Sequence, residues 1–413
     1  MQIINNKLHI GGISAEDLIL KFKSPLYAYE EDTIRQRFRD LKGNITYPNI
    51  RLYYACKANT NIAIMKILRE EGAFIDAVSP GEMFLALEAG YDKKQIMFTG
   101  NNSTDDDIKF AIKHGILVNA DSLSQLERYG RLNPNSKVCV RINPNIGAGH
   151  HNHVITGGPD SKFGIYYDKV NEIKNIAKKY DLKIIGVHQH IGSGILETEK
   201  FLEAMKVLLM TARHFDGLEF VDFGGGIGVP YKPDEKPLDL KTFGAQISQL
   251  FSDFCTEYGK ELTLALEPGR YFVCESGILL ATVNTIKETT KHKFVGVDTG
   301  FNHLIRVMAY GSYHPIIVAN NAESKDKEDV IICGNICESG DVFTKNEEGL
   351  VDRELPVIKE GDIIAILNAG AYGFSMSSNY NSRLKPAEIL VKDGKASIIR
   401  DRELLKDLLK GQS

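Results

Sequence analysis

Five stretches of this chain place reactive side chains directly behind runs of apolar residues. RLYYACKANT puts Lys57 after such a run, and FIDAV holds a carboxylate, Asp76, inside one, with Glu82 close behind. KIIGVHQH ends in His188 and His190 and continues as Ile191-Gly192-Ser193-Gly194. VDFGGGIG carries Gly224, Gly225, Gly226 and Gly228, and LTLALEP leads into Glu267-Pro268-Gly269-Arg270. A lysine in this setting is either a snorkelling surface residue or a buried amine able to attack a carbonyl. Buried acids need a cation, and for Asp76 and Glu82 the nearest candidate is Lys57. A strand-terminal His followed by Gly-Ser-Gly offers an imidazole face, a hydroxyl and unobstructed N–H groups; a structural turn is the plainer alternative. Glycines packed this densely permit a nest of N–H donors suited to a phosphate, or a merely flexible loop. Glu267 and Arg270 could serve a cationic ring nitrogen and an anion, or form a surface ion pair.

Each feature is ambiguous alone, but together they describe one ligand. It has an aldehyde for a lysine, an aromatic nitrogen that a carboxylate keeps protonated, and a phosphate. That is pyridoxal phosphate. Lys57 would capture the aldehyde, Glu267 would face the ring nitrogen, His190 would stack on the ring, and Ser193, Gly226 and Arg270 would hold the phosphate.

For these groups to meet, the elements must bring strand ends to one rim. Apolar runs at 51–56, 74–78, 95–100, 116–120, 137–142, 183–190, 218–224 and 262–268 alternate with stretches of helical periodicity such as 62–72 and 205–215. Eight strands alternating with helices over ~220 residues predict an α/β fold of the (β/α)8 type, whose active sites lie at the C-terminal strand ends. A doubly wound sheet is the competitor, but the glycines after the first run form no dinucleotide fingerprint. Gly72, Gly90, Gly115 and Gly130 fall where helix C-caps are expected. Beyond residue 272, short β-type runs between turn signals predict a mostly antiparallel β domain, which the KLHIGG strand at the start would join. The tail RELLKDLLK reads as a short amphipathic helix. The expected domains are therefore 1–25, packing with the β domain; 26–271, the barrel; and 272–413, the β domain.

The composition agrees. The 413 residues are 43% hydrophobic and 25% charged, as in ordinary soluble domains, and the net charge of −4 argues against nucleic acid as a partner. The six cysteines are scattered without a metal-site pattern, so reduced thiols and no metal are expected. No signal peptide or membrane span is legible, which points to a cytoplasmic protein with no membrane partner. His150, His151 and His153 lie in the stretch 143–164, read as an active-site loop with a metal site as the alternative.

The motifs YACKAN, HQHIGSG, DFGGGIG, EPGRY, CESGD and AGAYG, in this order along nearly the whole chain, resemble those of the fold-type III pyridoxal-phosphate decarboxylases. Within them the chain is most similar to the branch acting on diaminopimelate. The resemblance implies a barrel followed by a β domain and a head-to-tail homodimer with shared active sites. It places the cofactor lysine on Lys57, the ring-stacking histidine on His190 and the ring-nitrogen carboxylate on Glu267. Phosphate ligands fall on Ser193, Gly226, Gly269, Arg270 and Tyr372, with Asp76 and Glu82 near the lysine. Cys337, in Cys337-Glu338-Ser339-Gly340-Asp341, matches the catalytic cysteine given to the partner subunit. The stretch Phe301 to Gly311 matches the substrate loop, so that Arg270, Arg306, Tyr310 and Tyr372 would hold the substrate and its distal carboxylate, and Glu338 the distal ammonium. The implied activity is that of a carboxy-lyase converting meso-2,6-diaminopimelate to L-lysine and CO2. Alternatives are the same chemistry on carboxynorspermidine, ornithine or arginine, an alanine-racemase-type enzyme, or a non-enzymatic pyridoxal-phosphate carrier. The last leaves the second domain unexplained.

Overall fold

The computed structural model of the chain describes residues 1–147 and 156–412, and these divide into two compact units. The three histidines at 150, 151 and 153 lie outside the described residues.

One unit, residues 36–230 with 236–272, is a closed barrel. Its strands are Ile50–Ala55, Phe74–Ala77, Ile96–Phe98, Leu117–Ala120, Lys137–Asn143, Lys183–His188, Phe220–Asp222 and Thr263–Leu266, all parallel, and the ring closes where Leu264–Leu266 pairs with Ile50–Leu52. Strands covered on both faces read as continuous apolar runs, which is why all eight were legible. Successive strands feed helices with side-chain caps: Asn61, Ser79, Thr104 and Ser122 each accept a first-turn amide. Gly115 ends its helix in the left-handed conformation, φ +65°. Gly130 does not end a helix. It lies inside Leu123–Leu132, where a Cβ would sit 2.5 Å from the Tyr180 ring, so a packing contact explains this glycine. A buried cluster of Tyr53, Met97, Cys139, Ile185, Phe220 and Ala265, one from each of six strands, fills the barrel. Gly186 makes room for it, since a Cβ there would meet the Phe220 ring at 2.2 Å.

The other unit comprises residues 1–35, 231–235 and 273–413. Its nine-stranded sheet is organised by the long strand Gly277–Glu288, which pairs antiparallel with Leu26–Glu30, Lys293–Val297 and Ile363–Ile366. Two pairings are parallel, Lys293–Val297 with Lys327–Cys333 and Leu26–Glu30 with Ala387–Lys392. Leu26–Glu30, which the sequence reading set inside the barrel segment, is thus a central strand of this sheet. Its side chains Leu26 and Ala28 share a core with Ile278, Leu280 and Ile389. The N-terminal strand joins this unit: Lys7–Ile10 forms a meander with Gln2–Ile4 and Ile13–Ser14, and the Leu8 amide donates to Ala319 O at 2.7 Å. The tail forms a 3-10 turn at Leu405–Leu409 and not the expected amphipathic helix; Leu405 is 75% exposed, so no apolar face is buried to hold one. No helix among the described residues is long and apolar enough to cross a membrane.

Candidate active site

The first barrel strand runs out at Ala55 into a 3-10 turn, Cys56–Ala58, that carries Lys57. Lys57 Nζ lies 2.8 Å from Asp76 Oδ2, and the other Asp76 oxygen accepts the Thr99 hydroxyl. Burial pushes the Asp76 carboxyl up to about 7, and the charge of Glu267 adds to it, against the pull of Lys57. Glu82 does not share this role. It accepts the Val78 amide of its own strand-helix turn at 2.8 Å and the Cys56 thiol, from the turn that carries Lys57, at 3.4 Å, so its hydrogen-bond partners do not include Lys57.

Across the barrel, His188 ends its strand fully buried and donates Nε2–H to Glu267 Oε2 at 2.9 Å. Burial disfavours ionisation of Glu267, but His188, together with the charges of Lys57 and Arg141, outweighs it, and the carboxyl is held below its ordinary value. Glu267 Oε1, also buried, has no hydrogen-bond partner among the described residues. His190 is half-buried; its Nδ1 accepts the Gly225 amide at 3.1 Å, which leaves the ring proton on Nε2. Burial, reinforced by Lys57, lowers the His190 pKa well below its ordinary value and keeps the ring neutral.

Lys57, Asp76, His188, His190 and Glu267 line one cavity of about 320 Å³. Arg141 lines it too, and sequence reasoning missed it. Its guanidinium is buried, 3.2 Å from Asp121 Oδ1 and 4.5 Å from the Phe163 ring centroid. The signal was present as a lone charge within the apolar run KVCVRI, the same signal that singled out Asp76.

The glycine loop is less of an open nest than its composition suggests. The Gly224 amide donates to Asp222 Oδ1, that of Gly225 to His190 and that of Gly228 to Ile195 O. The amides of Gly226 and Ile227 have no acceptor among the described residues. Gly226 is at φ +117° and a Cβ would lie 2.8 Å from Gly192 O; at Gly269 a Cβ would lie 2.8 Å from Ala55 O. Beside them Arg270, buried, donates to Ser193 Oγ from Nε (3.3 Å) and Nη2 (3.1 Å).

The remaining candidates belong to the β unit. Cys337 and Glu338 are exposed. Their loop is tied down by Asp341, which accepts the Phe301 and Ile336 amides at 2.6 and 2.7 Å, and by Asn381, which accepts the Cys337 amide at 2.7 Å. Arg306 is buried, with Nη1 2.9 Å from His314 Nε2, Nη2 3.3 Å from Ser312 Oγ and its guanidinium 4.7 Å from the Tyr231 ring centroid. Tyr310 and Tyr372 are half-buried, and Tyr372 holds a left-handed backbone, φ +57°, uncommon for a residue with a Cβ.

The barrel site fits pyridoxal phosphate. A buried carboxylate oxygen without a partner suits a protonated ring nitrogen, the amine of Lys57 opens onto the same cavity, and Ser193, Arg270 and the Gly226 amide form a donor set for a phosphate. Comparison with known proteins agrees with this chemistry. Residues 31–274 match the family "pyridoxal-dependent decarboxylase, pyridoxal binding domain". A diaminopimelate decarboxylase of Methanothermobacter thermautotrophicus is 48% identical, over 99% of this chain and 97% of that protein. The crystal structure of the M. jannaschii diaminopimelate decarboxylase in complex with L-lysine superposes with a TM-score of 0.91 at 33% identity, covering 100% of this chain and 97% of that one. That of the Helicobacter pylori enzyme with L-lysine gives 0.87 at 36%, covering 96% and 98%. With a cofactor site of this chemistry and full-length likeness of this order, the chain belongs to the pyridoxal-dependent decarboxylases, in the diaminopimelate decarboxylase family.

Proposed function

We propose that the protein is a pyridoxal-phosphate-dependent carboxy-lyase that converts meso-2,6-diaminopimelate to L-lysine and CO2. The observation that carries it is one barrel cavity lined by both Lys57 and a buried carboxylate, Glu267, whose Oε1 has no hydrogen-bond partner among the described residues. The L-lysine held by two of the matched structures is the product this reaction forms. When bound, the cofactor supplies an aldehyde that takes up the substrate amine and a ring that accepts the electrons released with CO2.

This chain's residues do the rest. Lys57 holds the cofactor between turnovers, with Asp76 fixing its amine. Glu267, kept ionised by His188, holds the ring nitrogen in its protonated form. The neutral His190 ring, locked by the Gly225 amide, provides a face for stacking. Ser193, Gly226, Gly269 and Arg270 bind the phosphate, with Tyr372 completing that set.

We assign the distal end of the substrate to Arg270, Arg306, Tyr310 and Tyr372 for its carboxylate and to Glu338 for its ammonium, with Cys337 delivering or positioning the proton that replaces CO2. Binding energy from that end orients the scissile bond. Cys337 and Glu338 are exposed on this chain, which supports their being offered to a second copy in a homodimer. The buried, engaged guanidinium of Arg306 must turn outward or act through its neighbours for its role to hold.

The test is CO2 release by purified protein with pyridoxal phosphate, offered meso-diaminopimelate, ornithine, arginine and carboxynorspermidine in parallel. Preference for diaminopimelate with lysine as product is the expected result. Preference for another substrate keeps Lys57 and Glu267 in place and overturns the distal assignments.

A further inference from the structure

Asp222 has no part in the roles above, yet it stands beside His188 and Glu267, which line the cavity. It ends the strand Phe220–Asp222, in register with His188 on one side and Ala265 on the other, and is fully buried. One ligand atom each of His188, Asp222 and Glu267 lie within 4.8 Å of one another. Asp222 Oδ1 accepts the Gly224 amide at 2.8 Å; Oδ2, like Glu267 Oε1, has no partner among the described residues.

The cations near this pair act on Glu267 and are paired elsewhere, and none is bonded to Asp222. The cavity's cations are Lys57, Arg141 and Lys162. The first two are matched by Asp76 and Asp121, and the third lies 5.1 Å from the Phe163 ring centroid. Tyr53, from the strand beside Thr263–Leu266, and Cys139, from the strand beside Lys183–His188, add no positive charge, and the Nε2–H of His188 is given to Glu267. Two adjacent buried carboxyl groups with no cation between them cannot both ionise. Glu267 has the His188 donor, whereas Asp222 has one amide.

We propose that Asp222 is the protonated member of the pair, a neutral acid whose Oδ2–H is turned toward Glu267, so that Glu267 alone is presented to the cofactor ring as a carboxylate. Asp222 is then a positioning residue acting through Glu267. Burial and the charge of Glu267 push its carboxyl well above the usual range, in keeping with this arrangement. The proposal rests on Glu267 being the carboxylate that meets the cofactor, so its test uses cofactor-free protein and can fail separately from that reading.

The experiment is infrared spectroscopy of the cofactor-free protein, in buffer more alkaline than the value of about 7 at which Asp76 ionises. The wild type is expected to show the carbonyl stretch of a protonated carboxylic acid, and D222N to lose it. Reloaded with cofactor, D222N should keep its KM and its kcat within about threefold, because Asn retains both a neutral donor and an oxygen for the Gly224 amide. If D222N does not fold, D222S, which also keeps an oxygen there, takes its place in the infrared comparison. No acid band in the wild type, a band that survives the substitution, or a folded D222N that loses more than about a hundredfold in kcat overturns the assignment.

Discussion

Lys57 Nζ and Asp76 Oδ2 lie 2.8 Å apart at the ends of adjacent barrel strands, and they differ sharply in exposure: the Asp76 side chain is 1% accessible, that of Lys57 35%. The amine therefore opens onto the cavity while its counter-ion is fixed from below by Thr99. Lys57→Ala should abolish turnover, by roughly a thousandfold or more in kcat, because a covalent role has no substitute. Retention of most of the CO2 release would refute the assignment of Lys57.

The buried His188–Glu267 pair makes a second, separable prediction. Glu267→Gln keeps the size and one hydrogen bond but removes the charge that would hold the ring nitrogen protonated. A fall in kcat of about a hundredfold or more is expected, of the order of lost proton-transfer assistance, with little change in cofactor affinity. Cofactor titration followed by steady-state CO2 release measures both. Wild-type kcat in that variant would place the ring nitrogen elsewhere.

Why the barrel was legible and parts of the site were not follows from what each residue is buried against. Strands covered on both faces are apolar throughout, so Ile50–Ala55 and its seven partners stand out from periodicity alone. A charge inside such a run is equally visible, which is how Asp76 came to attention; Arg141 carried that signal and was passed over. Asp222, inside the run 218–224, carried the same signal and was passed over too; its neighbour Glu267, 45 residues away, is visible only once the fold sets the two strand ends side by side. Partners are harder to read than positions. Glu82 turns to Val78 in its own turn and to Cys56 on the preceding strand end, and Arg306 is engaged by His314 and Ser312 just downstream, choices set by how each turn is shaped and packed and not by residue type. Leu26–Glu30 looked like the start of the barrel because an apolar strand does not announce which sheet it will join.

The raised carboxyl of Asp76 has a consequence for stability. It holds its proton up to about 7 in the folded protein, against 3.8 as its ordinary value. The folded state thus binds more protons than the unfolded chain across that window, and the contribution of Asp76 to stability declines as pH rises from about 4 to about 7. In cofactor-free protein, Asp76→Asn should flatten that part of the pH dependence of Tm. An Asn variant with the wild-type slope would mean that Asp76 is ionised throughout.

Glu338 is exposed beside Cys337, so its removal should leave the fold intact. If it receives the distal ammonium of diaminopimelate, Glu338→Ala raises KM for that substrate roughly tenfold or more, the scale of losing one charged contact in a bound complex, and leaves cofactor binding unchanged. Discrimination against ornithine should fall at the same time. Unchanged kinetic constants would remove Glu338 from the substrate site.

Two helical glycines test the packing argument with opposite signs. At Gly130 a Cβ would lie 2.5 Å from Tyr180 Cδ2 and 2.9 Å from Tyr180 Cβ. The second contact is close to the backbone of Val170–Tyr180, so turning the ring cannot relieve it. Gly130→Ala should destabilise the protein by about 1–3 kcal/mol, the usual cost of overpacking, more than the gain of about 1 kcal/mol from helix propensity. Gly43, in Glu31–Asn44, meets nothing within 4 Å, so Gly43→Ala should stabilise by about 0.5–1 kcal/mol. Urea unfolding of the two variants reads both. Neither position touches the cavity, so kcat per folded molecule should be unchanged in each, and equal shifts of the same sign would show that backbone propensity, not the Tyr180 contact, governs Gly130.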